Sequence, residues 1–295
     1  MTRLKAMDFD PRVLELFDGY VHGFISRREF LDRAGAYAVG GVTAAALLES
    51  LSPDFAAGQR VVEDDARLAT SYLEYDSPEG YGTMRGYLAQ PAEASGALPG
   101  IVVIHENRGL NPHIEDIARR LGLEGYLAFA PDALTPLGGY PGDEDSARAL
   151  FGDLDRARIT EDFVAAVEFL QNHPDCTGNV GCVGFCFGGG VANTLAVRVP
   201  DLRAAVPFYG GQPAAVDVPR IQAPLQLHHG GLDERINAGW PAYEAALQAN
   251  GKAYEEYTYE GANHGFNNDT TPRFDEDAAA LAWSRTLEFF ARHLS

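Results

Sequence analysis

From about Leu68 onward the chain alternates short apolar runs with segments whose apolar residues recur every three or four positions. The runs "TMRGYLAQP", "GIVVIHE", "LAFAPD", "NVGCVGF", "RAAVPFYG", "PLQLHHG" and "YEEYTYEG" predict strands. "GIVVIHE" stays apolar until its polar end, as a central strand buried on both faces must. The longer periodic segments "IEDIARRLGLEGY", "ITEDFVAAVEFLQNHP", "GGGVANTLAVRVP", "PAYEAALQANG" and the span from Ala278 to His293 predict helices. Strands alternating with helices imply the α/β class, with a mostly parallel central sheet covered by helices on both faces. The stretch from Leu134 to Asp155, rich in Gly, Pro and acidic residues, reads as a loop or cap insertion over a site. No internal repeat or linker-like break divides the body, so residues 66–295 are expected to form one domain.

Residues 1–65 precede that domain as a helical extension, with Phe9, Leu14, Leu16 and Phe17 marking one short helix. Within it, Arg27 and Arg28 stand before an uncharged run from Ala34 to Leu48, too short to span a bilayer. Two readings are open. The pair and the run resemble a twin-arginine export signal, which would place the mature protein outside the cytoplasm. The interrupting Asp32 and Arg33 and the long, partly acidic lead-in suit a retained arm instead, one that could cover a second copy in a homo-oligomer.

Composition narrows the classes of partner. Lys plus Arg number 23 against 42 Asp plus Glu, a formal net charge of −19, which repels nucleic acid and anionic membrane surfaces. The three cysteines, Cys176, Cys182 and Cys186, lack the paired C-x-x-C spacing of a zinc site, and no disulfide framework or nucleotide-binding fingerprint is present. No cofactor and no metal are expected.

One of those cysteines carries the chemistry. In "GFCFGGG", Gly184 and Gly188 flank Cys186 at two positions each way, between a predicted strand and a predicted helix. This is the spacing of a nucleophile elbow with sulfur in place of the usual serine oxygen. The turn lifts the side chain clear of the sheet and aims a helix N-terminus at it, which favours the thiolate. An acid and then a histidine should follow at strand ends. Asp233 in "HHGGLDERI" and His264 in "EGANHGF" occupy those places, while the other histidines lack the combination, although His228 and His229 end a strand.

Together with "VIHENRGLN", the segments "GFCFGG", "GLDERI" and "GANHGF" resemble the dienelactone hydrolase family, over nearly the whole span from Ser71 to Ser295. The resemblance implies an α/β-hydrolase fold and a hydrolase of small esters or lactones. It implies Cys186 as nucleophile, His264 as base, Asp233 as its orienting acid and Glu106 as the carboxylate that hydrogen-bonds and tunes the resting thiol. The backbone N–H groups of Phe187 and Asn107 match the family's oxyanion-hole positions. Two arginines that grip the carboxylate of dienelactone in that family are replaced here by Pro136 and Asn268. Arg108 or Arg235 is a candidate replacement cation, and Tyr140, Phe187, Tyr209, Trp240 and Phe266 are candidate walls for the acyl group. The lost arginines also leave room for a non-catalytic thiol sensor on the same fold, and nothing in the sequence separates a hydrolase from an acyltransferase.

Overall fold

The structure, a computed structural model, describes residues 4–38 and 42–295. The extension comprises α1 (Pro11–Val21), α2 (Arg27–Ala34), α3 (Ala44–Leu51) and α4 (Phe55–Gly58). Each of the first three begins at a residue that satisfies free N–H groups: Asp10 ahead of Pro11, Ser26 with Glu29, and Thr43. Their apolar faces close on a small core of their own, with Phe17, Tyr20, Phe30 and Leu51 buried. The uncharged run is thus not one helix. α2 ends at Ala34, α3 starts at Ala44, and residues 39–41 lie outside the described set. No described helix is long and apolar enough to cross a membrane.

The body follows as β1 (Leu68–Ser77), β2 (Gly82–Pro91), β3 (Leu98–Ile104), α5 (Pro112–Leu123), β4 (Leu127–Pro131), α6 (Glu144–Gly152), α7 (Arg156–Gln171) and β5 (Cys176–Phe185). It continues with α8 (Phe187–Arg198), β6 (Ala204–Phe208), β7 (Leu225–Gly230), α9 (Glu234–Asn237), α10 (Trp240–Ala249), β8 (Tyr254–Tyr259) and α11 (Glu276–Leu294). The eight strands form one sheet in the order β1-β2-β4-β3-β5-β6-β7-β8. β1–β2 and β2–β4 are antiparallel and the remaining pairs parallel, so the mostly parallel sheet expected from the sequence is present.

Alternation along β3 explains its unbroken apolar run. Ile101 and Val103 face one side, where Ile114, Ile117 and Leu121 of α5 and Phe289 and Phe290 of α11 cover them. Val102 and Ile104 face the other, against Phe163 and Val167 of α7 and Val191 and Leu195 of α8. The segment from Leu134 to Asp155 is less irregular than expected. It contains a 3-10 turn, Thr135–Leu137, and the helix α6, capped by Asp143. α6 forms because its buried face, Ala147 and Phe151, joins the main core, a tertiary contact that the Gly- and Pro-rich flanks conceal.

The arm folds back onto its own body. Val21 O accepts a hydrogen bond from Asn107 Nδ2 at 2.8 Å, Tyr20 Oη bonds Asp145, and Asp18 pairs with Arg273 at 3.4 Å. Further along, Arg60 is held by Asp269 at 2.7 Å. These contacts bring the C-terminal end of α1 to the C-terminal edge of the sheet, where the site lies.

Candidate active site

Cys186 occupies the turn between β5 and α8 with φ 55° and ψ −111°, a conformation costly for any residue with a side chain. The surrounding glycines show why the chain accepts that cost. A Cβ at Gly184 would lie 2.0 Å from Gly188 O, one at Gly188 2.3 Å from Ile104 O, and one at Gly189 2.4 Å from Phe208 O. Only bare backbone lets α8 press this closely on three strands. Cys186 N donates to Phe208 O at 3.1 Å, which ties the turn to β6. The side chain is thereby presented at the N-terminus of a 12-residue helix, whose partial positive charge favours an anion.

The acid and the histidine meet as their order in the chain requires. Asp233 caps α9 after β7, and its Oδ2 lies 2.5 Å from Nδ1 of His264, carried by the turn after β8. Nδ1–H therefore donates to the carboxylate, and the buried Nε2 is left to face the Cys186 sulfur, with no oxygen or nitrogen partner among the described residues. Burial opposes the charge on Asp233, but the bond and charge of His264, the Ile236 N–H and Arg235 together outweigh it and lower the carboxyl pKa. For His264 burial again opposes charge, while the neighbouring sulfur and Asp233 raise its pKa above the ordinary value. For Cys186 burial raises the thiol pKa, and the charges of His264 and His22 overcome it, bringing the thiol down to about 5.

The remaining expected residues fall into two groups. Glu106, buried at the end of β3, does not reach the resting thiol; its Oε2 accepts from Asn268 Nδ2 at 3.2 Å. Asn268, standing where the resemblance led one to look for an arginine, therefore anchors this carboxylate. Burial pushes the Glu106 pKa up, yet Arg108, His113 and Arg273 together bring it below the ordinary value. Arg108 is buried and committed to Glu144 at 2.7 Å, so it is not a free cation in the cleft. Arg235 is at the cleft, with Nη2 3.0 Å from His22 Nε2 and 3.5 Å from His264 Nδ1. Phe187, Asn107 and Tyr209 line a cleft of about 340 Å³ that opens on Cys186.

Three of the candidate aromatic walls lie elsewhere. Tyr140 bonds Glu144 and stands edge-on to Phe55 of the arm. Trp240, the first residue of α10, packs against His229, Tyr243 and Tyr254 and does not line the cleft. Phe266 is fully buried beneath the cleft against Phe208, Tyr209 and Tyr259. A larger cavity of about 950 Å³ follows the seam between arm and body and touches Asp233, Arg235 and His264, but not Cys186. Of the two, the smaller cleft is the one that opens on the Cys186 sulfur.

Sequence reasoning passed over several cleft residues, above all His22, whose Nε2 lies 3.4 Å from Cys186 Sγ. Phe24, Arg156 and Ile236 also line the cleft, with Gly190 and Gly211. The sulfur and one ring nitrogen each of His22 and His264 lie within 4.8 Å of one another.

Comparison with known proteins agrees with this fold. The Dienelactone hydrolase family model matches residues 84–294, and a second model, YqhI-like, matches residues 1–39. An Escherichia coli (strain K12) protein named "Putative hydrolase fragment YghX" is 49% identical over 114 residues, covering 39% of this chain and 97% of its own length. A Salmonella typhimurium "Putative carboxymethylenebutenolidase" is 32% identical over 225 residues, 71% of this chain and 83% of its own. The crystal structure of a "Putative Dienelactone Hydrolase" from Klebsiella pneumoniae superposes with a TM-score of 0.67 at 29% identity, covering 76% of this chain and 100% of that one. With the α/β-hydrolase sheet, the elbow and the acid–histidine pair in place, the chain belongs to the dienelactone hydrolase family and is a carboxylic ester hydrolase.

Proposed function

We propose that the protein hydrolyses small esters or lactones through a thioester formed on Cys186. The observation that carries this reading is the strained turn at Cys186, which presents its sulfur to a cleft also lined by His264, itself fixed by Asp233 at 2.5 Å. The thiolate attacks the ester carbonyl, forming an S–C bond while the carbonyl electrons move to oxygen. The N–H of Phe187, at the first position of α8 and without an intrahelical partner, serves that oxyanion together with the N–H of Asn107. Collapse expels the alcohol, which takes a proton from an imidazolium. His264 then removes a proton from water, hydroxide attacks the thioester, and the carboxylic acid leaves as the thiolate is restored.

The cleft also suggests the kind of substrate. Arg156, which opens α7, lines it with no carboxylate partner among the described residues, its guanidinium 4.5 Å from the Phe151 ring and 5.0 Å from that of Phe187. A cation lying on aromatic faces beside the sulfur suits an ester that carries an anionic or aryl group. The volume, about 340 Å³, limits that ester to a small one.

The test is to mix the enzyme with p-nitrophenyl acetate, quench in acid within the first turnovers and map the acyl mass by peptide mass spectrometry. The mass is expected on the peptide containing Cys186. Steady hydrolysis with no acyl mass on that peptide overturns the mechanism.

A further inference from the structure

Asp18 and His22 stand four residues apart at the end of α1, so their side chains share one face of the helix. His22 Nδ1 lies 2.8 Å from Asp18 O and 3.2 Å from Asp18 Oδ1. Nδ1–H therefore donates to Asp18, and Nε2 is the nitrogen that faces the sulfur at 3.4 Å. The ring of His22 meets that of His264 edge to face, centroids 4.8 Å apart. In this resting arrangement Cys186 Sγ lies 3.4 Å from His22 Nε2, and His264 faces the same sulfur, so that both imidazoles lower the thiol pKa. The two Asp–His pairs thus converge on one thiol, and one of them lies outside residues 84–294, which the family model covers.

The seat of His22 is built, not incidental. The side chain is 10% exposed, Asn107 holds the preceding Val21 carbonyl, and Arg273 holds Asp18. Behind these contacts the aromatic cluster of Phe17, Tyr20 and Phe30 fixes α1 on α2.

We propose that His22, oriented by Asp18, is a second catalytic imidazole of this enzyme, the group that accepts the Cys186 thiol proton and leaves His264 to activate water. The proposal rests on Cys186 being the nucleophile. In the resting enzyme the S–H proton moves to His22 Nε2, giving a thiolate–imidazolium pair. The thiolate forms the S–C bond, and the departing alkoxide takes the His22 proton to leave as alcohol. Water gives one proton to His264 and its hydroxide to the thioester carbon; the S–C bond breaks and the acid departs. The His264 imidazolium then returns its proton to the thiolate–His22 pair across the ring contact, which closes the cycle with one ester and one water consumed.

Charges from every neighbouring element bear on this pair. Asp18 on α1 and the sulfur itself favour the imidazolium, against burial, and raise the His22 pKa to about 10. Asp233 and Glu106 add negative charge from the ends of β7 and β3. Arg235 on α9, Arg156 on α7, Arg273 and a charged His264 oppose it. Arg235 donates to Nε2 only while the ring is neutral; its Nε also lies 3.8 Å from Asp18 Oδ2, an alternative partner once the ring is charged.

The test is the pH dependence of Cys186 alkylation by iodoacetamide in the full chain with EDTA present, followed by peptide mass spectrometry so that Cys176 and Cys182 are counted apart. Wild type, His22→Gln, Asp18→Asn and His264→Gln are compared, with kcat/KM profiles on the same ester. We expect the wild-type midpoint near pH 5. It should rise by about one to two units in His22→Gln, the acid limb of kcat/KM moving with it. Limited proteolysis reports whether the arm stays seated. Asp18→Asn keeps every apolar contact of the arm, and its upward shift decides the matter should His22→Gln release it. Alkylation profiles of seated His22→Gln and Asp18→Asn that coincide with wild type, with a shift only in His264→Gln, overturn the proposal. Failure of the nucleophile reading looks different: hydrolysis would survive in Cys186→Ala whatever the alkylation profiles show.

Discussion

Adding one methyl group at Gly188 tests the physical account of the elbow. A Cβ there would sit 2.3 Å from Ile104 O, 2.7 Å from His105 O and 2.8 Å from Ile104 C. Ordinary contact needs roughly an ångström more than the shortest of these. All three atoms are backbone at the end of β3, which is pinned by its register with β5 at Val103↔Val183 and Ile104↔Gly184. Relief must come from moving α8 off the sheet, at the upper end of the ~1–3 kcal/mol typical of overpacking. Replacing a helical glycine by alanine returns up to ~1 kcal/mol, so the net loss is about 2 kcal/mol. For a chain of this size that lowers Tm by about 3 °C. Displacing Cys186 by about an ångström should also cut kcat/KM by up to about 100-fold. Gly190→Ala, two residues further along the same helix, is the control. Its Cβ would meet nothing nearer than 3.5 Å, so Tm should stay level or rise slightly. Thermal unfolding and ester kinetics of the two variants are compared directly. If Gly188→Ala is as stable and active as Gly190→Ala, the close approach of helix and strand does not have the role assigned to it.

Asp233→Asn removes the charge 2.5 Å from His264 Nδ1. An ion pair with charge centres ~4 Å apart at an effective dielectric of ~20 amounts to about 4 kcal/mol, so kcat/KM is expected to fall about 1,000-fold with little change in KM. A loss under tenfold would show that the pair does not support the imidazolium. Arg156→Gln should raise KM about tenfold for an ester bearing a carboxylate while leaving a neutral ester of the same size unaffected, a difference read from paired Michaelis–Menten curves. Equal effects on both esters would remove Arg156 from substrate recognition.

How far the sequence could be read depended on whether a feature was local. β3 was legible because burial on both faces leaves an unbroken apolar run, and the elbow because its glycines answer contacts under 3 Å with backbone. Asp233 and His264 could be placed at strand ends from their order alone. β1 was missed because it is an edge strand with much of its length exposed and so lacks a sustained apolar pattern. α9 is a single four-residue turn whose only sequence mark is its cap, Asp233. Trp240 and Phe266 lie near the site in sequence but turn into the core, which composition does not reveal. His22 was passed over for the strongest reason. Its contact with Cys186 spans 164 positions and depends on the docking of a separate helical arm. The only local trace was the spacing of Asp18 and His22, four residues apart on a helix that ends there.

The central claim is that the sulfur of Cys186 performs the hydrolysis. The most direct test is the rate of hydrolysis of a short panel of aryl esters and simple lactones by wild type and Cys186→Ala side by side, with both variants shown to be folded by circular dichroism. The account predicts turnover in wild type and a fall of at least about 1,000-fold in kcat/KM in Cys186→Ala, the remainder coming from binding and the oxyanion hole. Hydrolysis by Cys186→Ala at the wild-type rate would contradict it.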